Sequence, residues 1–155
     1  MAESKVLNDL FLSYEPSVES DVKNLCNKLR NLDMKIWVNF ENPKSTIDQI
    51  AKNIRNSKLF VCVLTKKYSE SKKFFKEVEY AYDIGTKIVV LYLNDLRIDE
   101  LQRVGMIVTG LNRVNCFNNP NSWFDDDFNN IKKILELKLR VIFYFVNYLV
   151  NFIIM

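Results

Sequence analysis

The chain contains no histidine among its 155 residues, which excludes Ser-His-Asp triads, Cys-His pairs and His-bearing zinc sites. Glycine is nearly as scarce. Only Gly85, Gly105 and Gly110 occur, so neither a G-x-G-x-x-G dinucleotide loop nor a GxxxxGK(S/T) phosphate loop is present. The three cysteines, Cys26, Cys62 and Cys116, form no C-x-x-C pair and are odd in number. They fit reduced, buried thiols of a cytosolic protein better than a disulfide framework. Neither charge sign dominates, with 22 Lys+Arg against 19 Asp+Glu, so charge alone points to no nucleic acid or anionic surface. Residues 1–5 (MAESK) carry no apolar signal segment.

What is present is a globular composition, 48% apolar and 26% charged, on a length that suits one domain. Asn occurs 18 times and Lys 16 times, a bias that AT-rich coding produces, so a single Asn or Lys carries little weight. Short apolar runs alternate with helical patterns. Leu10-Phe11-Leu12 reads as a first strand ending at Ser13-Tyr14. Val18, Val22, Leu25, Cys26, Leu29 and Leu32 then recur at helical spacing. Residues 34–38 (MKIWV) read as a second strand. Thr46-Ile47-Asp48-Gln49 has the capping-box pattern, with Ile47, Ile50, Ala51 and Ile54 as the inner face of the helix it opens.

Residues 59–64 (LFVCVL) and 88–93 (IVVLYL) are continuous apolar runs, the mark of strands covered on both faces. A helix between them carries Phe74, Val78, Ala81 and Tyr82 on one side. A weaker segment, 98–108, precedes an edge strand at 113–117, and a last helix opens at Ser122 with Asp125 three residues on. Five βα units predict a flavodoxin-like three-layer α/β sandwich: a five-stranded parallel sheet with helices on both faces.

The predicted domain is 1–138, followed by a hydrophobic tail at 139–155. Within the tail, residues 141–155 (VIFYFVNYLVNFIIM) hold 13 apolar residues of 15. As a helix they reach about 22 Å, short of a bilayer core of about 30 Å. An anchor flanked by Lys138 and Arg140, an element docked on the domain, and translated non-coding sequence all remain open. The AT-rich spelling favours the last, and membrane contact follows only from the first.

Ligands of open α/β sheets bind at the carboxyl ends of the strands. Candidate chemistry therefore sits in 13–17, 39–46, 65–77 and 94–97. A phosphoacceptor site would need carboxylates after the first strand and an Asp after the third. This chain has Ser13-Tyr14 and Thr65, which excludes a receiver domain.

Over about residues 8–135 the remaining pattern resembles the Toll/interleukin-1 receptor (TIR) domain family. Asp9-Leu10-Phe11-Leu12-Ser13-Tyr14 is similar to its D-(V/L)-F-(I/L)-S-Y strand, and Ile36-Trp37-Val38 sits where the family has V-W-x-D. Ile50-Ala51-Lys52-Asn53-Ile54-Arg55-Asn56-Ser57 is similar to I-x-x-A-I-x-x-S. Tyr68-Ser69-Glu70-Ser71 and Glu77-Val78-Glu79-Tyr80-Ala81 resemble Y-x-x-S and the C-x-x-E-L-x-x-A helix. The segment Val104-Gly105-Met106-Ile107 looks like the G-W-L-G stretch of some members.

The resemblance implies a cytoplasmic domain of innate-immune signalling that associates with other TIR domains, as a homo-oligomer or heterotypically. It places the contact loop at Asn39, Glu41, Pro43, Lys44 and Ser45. In the NAD⁺-cleaving branch the acid of the E-L-x-x-A helix is catalytic, and Glu77 occupies its position. Ser13, Tyr14, Trp37, Asn39, Lys73 and Phe74 are then the substrate-binding candidates, with NAD⁺ as substrate and no bound cofactor, metal or nucleic acid. One carboxylate suffices, because cleavage of the ribosyl bond builds oxocarbenium character and nicotinamide leaves as a neutral ring. Near a helix start, the dipole favours the ionised acid. Lys66, Lys67, Lys72, Lys73 and Lys76 form a basic cluster around the site, read either as a solvated face or as contacts for a pyrophosphate.

Asn39 stands where the family has Asp, Lys44 where its loop has Gly, and Lys73-Phe74 where it has Trp-Cys. These positions motivate the alternative of a catalytically silent adaptor. A nucleoside deoxyribosyltransferase-like enzyme, with the same layout and a catalytic Glu, is the third reading.

Overall fold

A computed structural model describes residues 7–116 and 124–154, with 141–148 described by backbone alone. The leader reading at 1–5, the strand end at Phe117 and the helix start at Ser122 lie outside the described residues. The five strands are β1 (Asn8–Ser13), β2 (Ile36–Val38), β3 (Ser57–Leu64), β4 (Lys87–Tyr92) and β5 (Asn112–Asn115). They pair in parallel in the order β2-β1-β3-β4-β5. The helices are α1 (Glu19–Arg30), α2 (Ile47–Arg55), α3 (Lys66–Glu70), α4 (Lys72–Asp83), α5 (Gln102–Val108) and α6 (Phe128–Ile154). The chain is thus the predicted flavodoxin-like α/β sandwich.

Successive side chains of a strand point to opposite faces, and here each face has its own helical layer. Leu10 and Leu12, Leu59, Val61 and Val63, and Val89 and Leu91 share one core with Val22, Leu25 and Leu29 of α1 and Ile131 and Leu135 of α6. Phe11, Phe60, Cys62, Leu64, Ile88 and Val90 share the other with Ile54 of α2, Tyr68 of α3, Val78 and Ala81 of α4, and Val104 and Val108 of α5. The apolar runs show no polar alternation because neither face meets water.

Three helix expectations change. Ile47, expected on the inner face of α2, is 86% exposed, because α2 packs on the core through Ile54 and, in part, Ile50, and not through its first residue. Tyr82 is 55% exposed: Val78 and Ala81, three residues apart, define the buried stripe of α4, and Tyr82 falls just beyond its edge. Phe124 to Asp127 form turns and α6 begins at Phe128, later than the Ser122 start expected. Along this turn Lys28 pairs with Asp125, and the amide of Ile131 donates to the carbonyl of Asp127 at 3.0 Å.

The capping box is present as expected. The Gln49 amide N–H donates to Thr46 Oγ1 at 3.2 Å, and the Thr46 amide donates to Gln49 Oε1 at 2.9 Å. Thr46→Ala is expected to cost about 1 kcal/mol, a fall of roughly 2–4 °C in Tm by calorimetry. Gly105 has a steric reason: a Cβ there would lie 3.0 Å from the carbonyl oxygen of Ile98 and 3.1 Å from Leu101 Cβ. Among the described residues no helix is long and apolar enough to cross a membrane.

Candidate functional site

The alternation of β1 decides which residue at its carboxyl end meets α4. Ser13 follows Phe11 onto the α4 face, and its Oγ donates to Glu77 Oε2 at 2.6 Å. A serine has one hydroxyl proton. With it committed to Glu77, the 2.7 Å contact between Ser13 Oγ and Tyr68 Oη makes the phenol the donor. The result is a buried relay from Tyr68 through Ser13 to the carboxylate, with Ser13 only 2% exposed. Burial raises Tyr68 well above the usual phenol value, so its proton stays in place.

Glu77 is the sixth residue of α4, in its second turn, behind a helix start capped by Ser71. The helix dipole fades within the first turn, so it does not lower this acid as expected. Burial instead raises the Glu77 carboxyl above its usual value, while the Ser13 hydrogen bond and the charge of Lys73 pull it back part of the way. Its carboxyl is largely buried, and the residue is only partly exposed where the side chain fronts a cleft.

That cleft, about 600 Å³, runs between α2 and α4 and is lined by polar Asn39, Ser45 and Glu77, apolar Ile47, Ile50, Ala51 and Ile54, the lysines 72, 73 and 76, and Tyr80. Its two walls are tied at one end by Arg55 Nη1, which donates to Tyr80 Oη at 2.8 Å. The stripe 47, 50, 51, 54 was visible as helical periodicity, and it lines this cleft as well as reaching the core. Periodicity tells which residues share a face but not whether protein or a cavity lies opposite. Tyr68 was legible only as one letter of Y-x-x-S. Its role depends on a hydrogen bond to a residue 55 positions away.

Of the six proposed substrate-binding residues, Asn39 and Lys73 line the cleft, Ser13 lies behind Glu77, and the other three sit elsewhere. Tyr14 follows Leu12 onto the opposite face of the sheet, where it packs with α1, tilts against Phe40 and donates to Glu19 Oε2 at 3.3 Å. Trp37 is a core ring stacked on Phe11 at 4.6 Å, and Phe11 stacks on Phe60 at 5.4 Å. Phe74 stacks on Tyr68 at 4.9 Å, behind the relay and away from the cleft lining. The basic cluster is also divided. Lys72, Lys73 and Lys76 face the cleft, whereas Lys66 and Lys67 line a separate groove with Glu15, Ser17 and Glu70.

The segment 39–46 is pinned at both ends. Asn39–Glu41 form a 3-10 turn, Asn42 Nδ2 donates to the Val38 carbonyl at 3.0 Å, and the Ser45 amide donates to Asn42 O at 3.1 Å. Arg30 Nη2 donates to Glu41 Oε2 at 2.8 Å, a bond that lowers the Glu41 carboxyl below its ordinary value. Pro43 and Lys44 are left exposed at the tip. The thiols are unavailable for chemistry: burial pushes Cys26 up to about 11 and both Cys62 and Cys116 up to about 12.

A five-stranded parallel sheet in this order, with an acid-bearing cleft over the carboxyl end of β1, defines a flavodoxin-like α/β domain whose site lies on one helical layer. The TIR domain family model matches residues 10–134, most of the chain, and the chain belongs to that family, whose members act in signalling. No curated protein matches it in sequence. The fold is shared by the TIR domain of the Toll-related receptor TRR-2 from Hydra magnipapillata. That match has a TM-score of 0.66 and 17% identity over 86% of this chain and 98% of that one. It is shared too by the TIR domains of the activated Roq1 resistosome, which directly recognizes the pathogen effector XopQ. There the TM-score is 0.59, with 19% identity over 83% of this chain and 98% of that one.

Proposed function

We propose that this TIR domain cleaves NAD⁺ at the bond between ribose and nicotinamide, with Glu77 as the catalytic residue, and that it does so when assembled with other TIR domains. One observation carries the reading: a buried carboxylate, oriented by Ser13, opens on a cleft whose mouth holds three lysines and whose wall is apolar. The lysines suit a pyrophosphate and the wall suits a flat ring. As the C1′–N bond breaks, its electron pair leaves with neutral nicotinamide. The Glu77 carboxylate stabilises the oxocarbenium charge, and water adds at C1′ and releases a proton. Asn39, Glu41, Pro43, Lys44 and Ser45 form the contact loop, with Lys44 at the exposed tip. Three unpaired cysteines suit a cytoplasmic setting. The resistosome neighbour, an activated assembly, supports a role in innate immunity through association.

Purified protein incubated with NAD⁺ at high concentration or on a crowding support tests the proposal by nicotinamide release. Assembled, folded protein that releases none would establish the silent adaptor, the reading that Asn39 favours by lining the cleft with an amide instead of an acid. Ser13→Ala removes the neutral donor to a charged acceptor, an interaction of about 1.5–3 kcal/mol. The expected loss in kcat is between about 10- and 100-fold with KM little changed, since Ser13 touches Glu77 and stays out of the cleft lining. A KM effect alone would instead make Ser13 a substrate contact.

A further inference from the structure

The helix α6 is unbroken from Phe128 to Ile154, and its first half is seated on the sheet, with Ile131 and Leu135 both fully buried. Eighteen residues make about five turns of α-helix. Leu149 and Ile153 therefore return to the face of Ile131 and Leu135, but there they are 42% and 79% exposed. Val150 and Ile154, about 100° around the helix from them, are 45% and 77% exposed. The apolar surface outlasts the domain and is wider than a single stripe. Across 141–155 the sequence holds no charged residue. Just before it, Lys132, Lys133, Lys138 and Arg140 stand within nine residues, against Glu136 alone. None of the four cations joins an ion pair among the described residues.

A second helix would cover one stripe and would ordinarily be registered by flanking charges, which this segment lacks. Lipid covers adjoining faces at once, and basic residues beside an apolar helix complement anionic headgroups. We infer that the distal part of α6 inserts into the surface of an anionic lipid bilayer, with Lys132, Lys133, Lys138 and Arg140 at the level of the headgroups. The inference is independent of the reaction at Glu77.

The test is flotation of the full 155-residue chain with phosphatidylcholine vesicles, with and without phosphatidylserine. Binding is expected only to the anionic vesicles and weakens as salt rises. The exposed double variant Leu149→Asp/Ile153→Asp abolishes it while the Tm holds. The exposed pair Lys133→Glu/Arg140→Glu lowers partitioning by about tenfold or more. Equal binding to neutral vesicles overturns the headgroup assignment. No flotation overturns the inference altogether. A dimer formed without vesicles and lost in Leu149→Asp/Ile153→Asp also overturns it, in favour of a second copy as the occupant.

Discussion

Glu77→Gln is expected to abolish nicotinamide release and, in the same protein, to raise the melting temperature. Loss of turnover follows from loss of the charge that faces the oxocarbenium ion, and the expected fall is on the order of 10³-fold or more. The gain in stability follows from the raised carboxyl. An acid whose folded pKa lies above its unfolded value binds its proton more tightly when folded. Its ionisation therefore costs stability at neutral pH, and the cost fades as pH falls from the raised value toward the ordinary carboxylate value, below which it is gone. Glutamine removes that cost, still accepts from Ser13 and nearly keeps the shape. The Tm difference between variant and parent should be largest near pH 7 and shrink toward pH 4. Turnover of the parent should fall on acidification with an inflection above the ordinary glutamate value. A variant less stable than the parent at pH 7 would mean that Lys73 and Ser13 outweigh burial. An active variant would end the catalytic assignment.

Phe60→Ala is the substitution with the largest expected effect on stability. Phe60 is fully buried in central strand β3 and is the cross-strand partner of Phe11, which in turn pairs with Trp37. The three rings form one stack across β3, β1 and β2. Removing the end ring creates a cavity between strands that helices hold on both sides, so the site has little room to collapse. The expected cost is about 3–5 kcal/mol, a large share of the 5–15 kcal/mol typical of a domain. Urea titration at constant m-value reads it directly. A loss below about 1 kcal/mol would mean that the stack relaxes around the gap. Because β1 carries Ser13 at its end, any turnover at Glu77 should fall along with stability.

Particular residues show how far the amino-acid order reaches. The runs 59–64 and 88–93 were legible as buried parallel strands because a strand covered on both faces has no polar alternation. Thr46 and Gln49 were legible because a capping box closes within three residues. Glu77 was legible through the spacing of the E-x-x-x-A helix, and the family match covers the stretch that carries it. Tyr14 and Trp37 leave the cleft lining for different reasons. Tyr14 belongs to the opposite face of the sheet, since adjacent motif letters alternate between faces, whereas Trp37 is on the cleft's face but its ring is taken up in the stack on Phe11. Ile47 has helical spacing with Ile54, but burial along a helix depends on how far the sheet extends beneath it.

The order of residues thus determined the layers and the parallel sheet, since alternation, periodicity and caps act over a few positions of chain, and it pointed to Glu77 only as a candidate, through the spacing of a motif. Tertiary structure alone decided that Ser13 and Tyr68 stand behind that acid and that three of five lysines meet in its cleft. It also decided that the acid is raised by burial and not lowered by a dipole. Those outcomes depend on desolvation and on contacts between groups far apart in the chain, and neither is encoded at any single position.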